Sequence, residues 1–362
     1  MKKRTYLVYL LLLPLIFFNT TYPAVAANDE GHPNQGVQYS VSKIKQAGEL
    51  NPNSSFYDLK AIPGEKITIQ ARLYNAEETP IKIDSKILTT FTNEHGEIAY
   101  TAVPEKFDDS LLYKVSDFST VDNDNGIVEI PAKDNKVIQA TIDVPKNAKG
   151  VMLGSWYFEK SGQVKDEKSK EGININNKYS YALAIKLTVN ESEKPNLNLI
   201  KVTPTLRQYQ KVIETTIQND QATVVSELSV AAKVMKKGSK EVLYENSGEG
   251  LIMAPNSNFN YPVYLENSPM KAGDYTIAVT ATTNDAKWES KTWQWTEDFT
   301  ITAEEAKENT KNALNDPEAP PSNWRYIGIF AILLVFVALL VYLIMKYKMR
   351  KQKESFEKRL KK

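Results

Sequence analysis

The sequence predicts an all-β protein with two immunoglobulin-like β-sandwich domains, followed by a stalk and one transmembrane α-helix. Three observations lead to this prediction. Apolar and polar residues alternate between residues 37 and 190, where turn residues interrupt the rows at short intervals, and a second set of strand-like segments follows up to residue 301. Each end of the chain also carries one continuous apolar run. The middle of the chain is therefore expected to be β-structure, with the two apolar runs outside it.

The first predicted domain, residues 27–192, is a sandwich of antiparallel strands. Its apolar residues recur with a period of two, which places alternate side chains on one buried face of each strand. The clearest rows are Ile67, Ile69, Ala71 and Leu73; Ile138, Ala140, Ile142 and Val144; and Tyr179, Tyr181, Leu183, Ile185, Leu187 and Val189. Turn signals at residues 62–64, 94–96 and 123–126 separate the strands, as is typical of such sandwiches. Residues 161–175 are rich in Lys, Glu and Gly and predict a solvated hairpin or mobile loop.

The second predicted domain, residues 193–302, begins where charge and a proline break the pattern at residues 190–196. Its strands are predicted at 197–199, 212–217, 224–234, 240–244, 259–265, 275–281 and 293–301. Seven strands in about a hundred residues suit an immunoglobulin-like sandwich. Residues 303–323 are polar, start with a helical turn at 303–306 and contain three prolines, so they are predicted to form a stalk.

The two apolar runs predict a route to the cell surface. Residues 1–26 have the basic start, apolar centre and Ala-Val-Ala end of a secretory signal peptide. Residues 324–345 are long enough to cross a bilayer as a helix, and Trp324 and Tyr342 lie near its two ends. The basic tail at 346–362 is expected to be cytoplasmic by the positive-inside rule. The localisation that follows is a single-pass cell-membrane protein whose residues 27–323 lie outside the cell.

Charge and composition narrow the partners of the external part. The whole chain has 45 basic and 44 acidic residues, but three basic residues lie in the signal peptide, one is Arg325, and the tail holds nine basic and two acidic residues, which leaves 32 basic and 42 acidic residues between 27 and 323. An acidic surface argues against a nucleic-acid partner, which needs basic groups to neutralise phosphates. The chain has no cysteine, so no disulfide stabilises it. These properties suit the outer face of a bacterial, most simply Gram-positive, membrane.

Residues that could carry catalysis or hold a metal are few. The chain has two histidines, His32 and His95, and no cysteine beside them, which argues against a zinc site or a Cys/His nucleophile. Asp108 and Asp109 could form a glycosidase pair, but the preferred interpretation is that they cap a turn. Residues 122–126 resemble part of a calcium loop without its glutamate, so a plain turn is preferred. The sequence therefore predicts no catalytic residue, metal or cofactor.

Three tryptophans late in the second domain have two interpretations. Trp288, Trp293 and Trp295 could form a carbohydrate platform. Trp293 and Trp295, however, share strand parity with Phe299 and Ile301, which favours core packing for these two.

An ordered set of motifs makes the prediction more specific. The set comprises residues 36–41, 55–59, 63–65, 92–100, 109–111, 149–154 and 177–181, followed after the linker by 254–259, 271–275, Trp288 and 299–302. In this order the motifs resemble the WxL-interacting proteins of Gram-positive bacteria. The resemblance covers nearly the whole chain, and the signal, anchor and basic tail also match the family.

The resemblance implies an amino-terminal peptidoglycan-binding domain and a second, host-binding domain. It also implies that the protein engages secreted WxL-domain proteins and helps to hold them at the cell surface. Host extracellular proteins are a further implied class of partner. The family carries no catalytic residues over to this chain.

One turn is a candidate binding loop because its tip combines hydrogen-bond donors and acceptors with a titratable ring. It consists of Thr92, Asn93, Glu94, His95 and Gly96. Such a tip can bind sugar or peptide without a deep pocket, and the hypothesis is contact with peptidoglycan or a protein partner. The competing interpretation is that these residues only maintain the fold, since Asn and Gly suit tight turns.

Two further functional classes compete with a surface scaffold. A cell-wall hydrolase would need a catalytic constellation that the sequence lacks. A surface receptor would need a cytoplasmic partner to pass on its signal, because a tail of residues 346–362 is too short to form a domain.

Overall fold

The computed structural model describes residues 39–122, 126–161, 179–190 and 193–314, together with helical positions between 330 and 349. The predicted signal peptide, most of the loop at 161–175 and the tail from residue 350 lie outside the described residues. Two bodies of β-structure follow one another in the described part. We call residues 39–190 the N-terminal module and residues 193–314 the C-terminal module.

The N-terminal module consists of two sheets that share one core. Its strands are β1 (Tyr39–Ile44), β2 (Tyr57–Ala61), β3 (Lys66–Asn75), β4 (Ile81–Thr89), β5 (Phe91–Thr92), β6 (Ile98–Ala99), β7 (Ser119–Val121), β8 (Ile127–Ile130), β9 (Asn135–Asp143), β10 (Gly150–Lys160) and β11 (Ser180–Val189). One sheet has the order β1-β3-β9-β7 and the other β2-β11-β10-β4-β8, while β5 and β6 form a small hairpin. A 3₁₀ turn at Val115–Phe118 precedes β7.

The alternating rows form the core of this module. Ile69, Ala71 and Leu73 on β3 are fully buried, and Ile185, Leu187 and Val189 on β11 face them from the second sheet. The module is not purely antiparallel, because β2 pairs in parallel with β11, with Tyr57 beside Ile185. More than a hundred residues separate β2 from β11 in the sequence, so no hairpin turn forces the antiparallel direction on this pair.

Strand β10 is buried on both faces, which an alternating pattern does not predict. Met152, Trp156 and Phe158 point into the core. Val151 and Leu153 on the opposite face, together with Met152 and residues of the C-terminal module, line a cavity. The Ser155 hydroxyl on the same face donates a short hydrogen bond to the Tyr100 carbonyl. The continuous apolar run of β10 therefore serves both the core and a second contact.

The C-terminal module has seven strands, as many as the sequence predicts. They are β12 (Leu197–Arg207), β13 (Gln210–Asn219), β14 (Val225–Lys236), β15 (Val242–Met253), β16 (Ser257–Tyr264), β17 (Gly273–Thr283) and β18 (Lys291–Ile301). They form an antiparallel sheet of order β12-β13-β16 and another of order β15-β14-β17-β18. Trp293 is buried in the shared core and Trp295 packs against it, as their strand parity predicts.

A short helix, α1 (Ala303–Asn312), follows the last strand. Thr302 and Glu305 form a capping box at its start, so the first backbone N–H groups have acceptors. Ala306 is buried against the C-terminal core, and the Leu314 N–H donates to the Tyr209 carbonyl at 3.0 Å. The first part of the predicted stalk therefore packs on the module, whereas residues 315–323 lie outside the described residues.

The described part of the chain contains no helix with both the length and the apolar character that a bilayer crossing requires. Much of the predicted span 324–345 lies outside that part.

Candidate functional site

The predicted binding turn is a tight hairpin tip between β5 and β6. The Asn93 side-chain oxygen accepts hydrogen bonds from the backbone N–H groups of His95 and Glu97 at 2.9 and 3.0 Å. Gly96 has a φ of 71°, a conformation that favours glycine. Asn93 and Gly96 therefore determine the shape of the tip, and the side chains of Glu94 and His95 project from it, 50% and 67% exposed.

The base of this turn is bonded to the C-terminal module. The buried Thr92 hydroxyl oxygen accepts a hydrogen bond from the Ala254 N–H at 2.9 Å and shares another with the Ser257 hydroxyl at 2.5 Å. The Ile252 N–H donates to the Gly96 carbonyl at 2.8 Å. A side chain at Gly96 would begin 3.0 Å from a methyl carbon of Leu251. Thr92 and Gly96 are thus buried contacts between modules, which leaves only Glu94 and His95 as an exposed tip.

Asp108 is the centre of a second set of bonds between the modules. Its carboxylate accepts hydrogen bonds from the N–H and hydroxyl of Ser110 at 2.9 and 2.6 Å. Across the contact it accepts from Gln218 on β13 at 2.9 Å and from Asn258 on β16 at 2.5 Å. Burial alone would raise the pKa of Asp108, but these hydrogen bonds stabilise the carboxylate and hold the pKa below its ordinary value.

The neighbouring Asp109 differs from Asp108 in its exposure and in its hydrogen-bond and ion-pair partners. Its side chain is 83% exposed and pairs with Lys106 at 2.8 Å. The Asp108 carbonyl also accepts the Leu111 N–H at 3.0 Å, so Asp108 stabilises a local turn. The two carboxylates therefore have unlike surroundings and structural partners.

A third contact joins the start of β10 to the loop after β13. The Val151 N–H donates to the Ala222 carbonyl at 2.7 Å. Gly150 has a φ of 71°, and a Cβ atom there would lie 2.5 Å from the same carbonyl oxygen. Lys149 pairs with Glu193 of the linker at 2.6 Å. We call these contacts, with those of Thr92, Gly96 and Asp108, the joint.

Two cavities lie along the joint. The larger, about 390 Å³, is bordered by apolar residues of both modules and by the Lys149–Glu193 pair. Its apolar lining residues are Leu111, Leu112, Tyr113, Val151, Met152, Leu153, Ala222 and Pro255. The smaller, about 250 Å³, extends from the turn at Thr92–Glu94 to Asp108, and Arg207 and Glu214 line it. Arg207 donates to the Glu94 carbonyl at 3.3 Å and to Glu214 at 3.0 Å, so its guanidinium connects the turn to the C-terminal module.

The chemistry of the joint is that of structural coupling. Among the described residues, no cluster of three or more His, Asp or Glu side chains could hold a metal ion. Residues 123–125 of the calcium-like turn lie outside the described residues. Carboxylate, amide and guanidinium groups here satisfy one another across the contact, with two cavities beside them.

Comparison with known proteins assigns the chain to a family. A model of the WxL Interacting Protein peptidoglycan binding domain matches residues 39–160, and a model of the host binding domain of the same protein matches residues 170–311. The chain belongs to the WxL-interacting protein family. No curated protein sequence matches it. The host-binding match includes β11, which in this WxL-interacting protein is a strand of the N-terminal module.

Solved structures to which the chain is similar include bacterial chaperones. A chain from a chaperone–tip adhesin complex for CFA/I fimbriae biogenesis has a TM-score of 0.32 and 14% identity, covering 72% of this chain and 98% of its own. The DraB chaperone of E. coli has a TM-score of 0.26 and 7% identity, covering 73% and 96%. The CupB2 chaperone of Pseudomonas aeruginosa has a TM-score of 0.24 and 13% identity, covering 65% and 94%.

Four of the eleven motifs that carry the family resemblance have residues at the joint. Residues 92–96, 109–111 and 149–151 reach it from the N-terminal module, and residues 254–259 reach it from the C-terminal module. Arg207 and Gln218 complete the contact but belong to none of the motifs. They lie on strands whose alternation is ordinary, so no local signal distinguishes them.

Proposed function

We propose that this protein is a membrane-anchored scaffold that binds peptidoglycan and holds WxL-domain proteins at the surface of a Gram-positive cell, where it can aid attachment to host molecules. The observation that carries the proposal is the pair of family matches, one on each module. The family describes cell-surface binding domains rather than enzymes. The joint adds a physical reason for their combination, because bonded modules present their surfaces in one fixed arrangement.

The experiment that tests partner recruitment uses the full chain with an affinity tag at its C-terminus, isolated from the envelope of its own organism. Mass spectrometry of the retained proteins is expected to show enrichment of WxL-domain proteins over an envelope that carries an untagged chain. In parallel, purified cell-wall sacculi are expected to sediment the protein. A well-folded chain that retains no WxL-domain protein would contradict the scaffold, and failure to sediment would contradict wall binding alone.

The exposed part of the candidate turn is the surface that we assign to ligand contact. Glu94 and His95 project from a tip whose base is bonded to the other module. The double variant Glu94→Gln, His95→Ala changes exposed side chains and removes the 3.8 Å ion pair of Glu94 with Arg207, whereas Asn93→Ala would remove the bonds that shape the turn. We expect the double variant to fold normally and to sediment less with sacculi or to capture less partner. Unchanged amounts of both would exclude the turn as a binding site.

Membrane anchoring through residues 324–345 is the part of the proposal that determines orientation. Because the chain has no cysteine, single-cysteine variants give an unambiguous answer. In intact cells, a membrane-impermeant maleimide is expected to label Ser322→Cys but not Ser355→Cys, which should react only after lysis. Equal labelling of both in intact cells would contradict the topology.

A further inference from the structure

A further cavity, of about 460 Å³, lies beside the loop that connects β17 to β18. We call it the Trp288 cavity. It is lined by Lys194, Pro195, Lys287, Trp288, Glu289, Ser290 and Lys291. These residues come from two separate parts of the chain, the linker at 194–195 and the loop at 287–291.

The loop that forms one wall is held by internal hydrogen bonds. The carboxylate of the buried Asp285 accepts the Lys287 N–H at 3.0 Å and a short bond from the Ser226 hydroxyl. The Trp288 N–H donates to the Asp285 carbonyl at 3.0 Å. The backbone of Trp288 is therefore positioned by the fold, as a preorganised binding site requires.

The charge of this cavity is opposite to that of the external part of the chain. Three lysines and one glutamate line it, whereas residues 27–323 carry 32 basic and 42 acidic residues. Elsewhere Lys66, Lys133 and Lys237 each pair with a carboxylate within hydrogen-bond distance. Within the described part of the chain, none of the three cavity lysines forms an ion pair with a carboxylate. The Lys287 ammonium acts on the Asp285 carboxylate only through its charge, and Lys291 donates to a carbonyl, so the three ammonium groups can still bind an anion from outside.

Lys291 connects the two walls of the cavity. Its ammonium donates to the Pro195 carbonyl at 2.9 Å and lies 4.8 Å from the centre of the Trp293 ring. An ammonium group carries three donors, so one hydrogen bond to a carbonyl leaves others for a ligand.

Trp288 contributes an indole N–H to the wall of the cavity. The side chain is half-buried, and its indole N–H is buried without an acceptor among the described residues. Buried indole N–H groups normally find an acceptor. The Trp293 indole N–H in the core also lacks an acceptor among the described residues, and the Trp288 nitrogen is itself buried, so a ligand oxygen can accept from it once the ring turns toward the cavity.

We propose that the Trp288 cavity binds an anionic carbohydrate. The lysine ammonium groups bind its carboxylate or sulfate, and a ring oxygen or hydroxyl accepts the indole N–H. The half-buried ring of Trp288 borders the C–H face of the sugar, while Glu289 accepts from its hydroxyl groups. An acidic peptide would satisfy the lysines, but it would place its carboxylates beside Glu289 without a donor for that residue. This inference does not depend on the engagement of WxL-domain proteins.

The test is isothermal titration calorimetry on the full chain in a polyoxyethylene detergent, which carries no sugar headgroup. Four probes are compared. Two are anionic sugars, a heparin-derived tetrasaccharide and sialyllactose; one is a neutral sugar, lactose; and one is an acidic peptide, hexaglutamate. The cavity variant carries three substitutions, Lys194→Gln, Lys287→Gln and Lys291→Gln. The control variant carries three others, Lys201→Gln, Lys240→Gln and Lys307→Gln. The control removes the same charge from exposed positions of the same module outside the cavity.

We expect at least one anionic sugar to bind. The cavity variant should weaken that binding about tenfold or more and the control less than about twofold. Binding of the sulfated probe alone would identify a sulfated glycan, and binding of sialyllactose alone a carboxylate sugar. The proposal would be overturned if neither anionic sugar bound, if lactose or hexaglutamate bound as tightly, or if both triple variants weakened binding equally.

A second variant separates recognition by Trp288 from a loss of folding. Trp288→Phe retains an aromatic ring and removes the indole N–H. We expect weaker sugar binding with an unchanged unfolding curve, and unchanged capture of WxL-domain proteins from the envelope. Equal sugar affinity in this variant would exclude the indole N–H from the site.

Discussion

The joint and the Trp288 cavity are both rich in polar side chains. At the joint these groups bond to the other module, whereas at the cavity one of them lacks a partner within the described residues. At the joint, the Asp108 carboxylate, the Thr92 hydroxyl and the Gly96 carbonyl all bond to the other module. At the cavity, the indole N–H of Trp288 has no acceptor among the described residues. Polar groups that satisfy one another stabilise a structure, whereas groups left open are available to a ligand. The comparison therefore separates coupling from recognition within one chain.

The largest loss of stability is expected from a substitution at Gly150, where the backbones of the two modules approach closely. Gly150→Val would place a branched side chain against the Ala222 carbonyl and force valine into a positive φ. We expect a loss of about 2 to 4 kcal/mol in the free energy of unfolding, since strain and overpacking add. Urea unfolding of the full chain in detergent, followed by tryptophan fluorescence, measures it.

The matched control for this change is Gly238→Val, at a glycine with a φ of 79° and no heavy atom within 4 Å of the Cβ position. It carries the same conformational strain without the contact. Equal losses from both variants would show that close approach at the joint contributes nothing beyond strain.

A smaller loss is expected from Asp108→Ala, which leaves the donors of Ser110, Gln218 and Asn258 without their acceptor. Unsatisfied donors in a partly buried contact cost about 1 to 3 kcal/mol in total stability. The adjacent Asp109→Ala removes an exposed ion pair and should change stability by less than about 0.5 kcal/mol. The same urea unfolding measurement applies, with proteolysis between the modules as a second readout. Similar values for the two variants would contradict the role of Asp108 in the joint.

The charge of Asp108 predicts how the joint responds to acid. Its pKa is lowered in the folded protein, so the carboxylate stabilises the fold above the ordinary aspartate pKa, and that contribution is lost as the pH falls through the lowered value. The stability difference between the parent chain and Asp108→Asn should therefore be largest near neutral pH and shrink below about pH 4. Urea unfolding at a series of pH values measures it. A difference that stays constant across this range would contradict the charge-dependent role.

The course of the chain through its strands was more predictable than the contacts between modules. The rows at β3, β9 and β11 are visible because one-sided burial leaves a period of two, and seven strands are found after the linker as predicted. The parallel pairing of β2 with β11 and the double burial of β10 depend on partners distant in sequence, which alternation does not encode.

The candidate turn shows the same limit at a single site. Its residue types predict a tight hairpin tip, and Asn93 and Gly96 form one. Thr92 is buried against Ser257, which lies more than 160 positions later in the chain, so the local sequence does not show its burial. Arg207 and Gln218 could not be selected from the sequence, because an arginine or glutamine on a strand is ordinarily a solvated side chain.

The smallest change in the free energy of unfolding is expected at the Trp288 cavity. Comparing it with the change at Asp108 tests directly whether the cavity and the joint have different roles. Lys194→Gln, Lys287→Gln removes two exposed charges that form no ion pair in the described part of the chain. Surface substitutions of this kind change the free energy of unfolding by no more than about 0.5 kcal/mol. Asp108→Ala should be destabilising, because its polar partners lie inside the protein. Urea unfolding of both variants in one series makes the contrast direct. A loss at the cavity as large as that at Asp108 would mean that its lysines stabilise the fold, and the division between coupling and recognition would no longer hold.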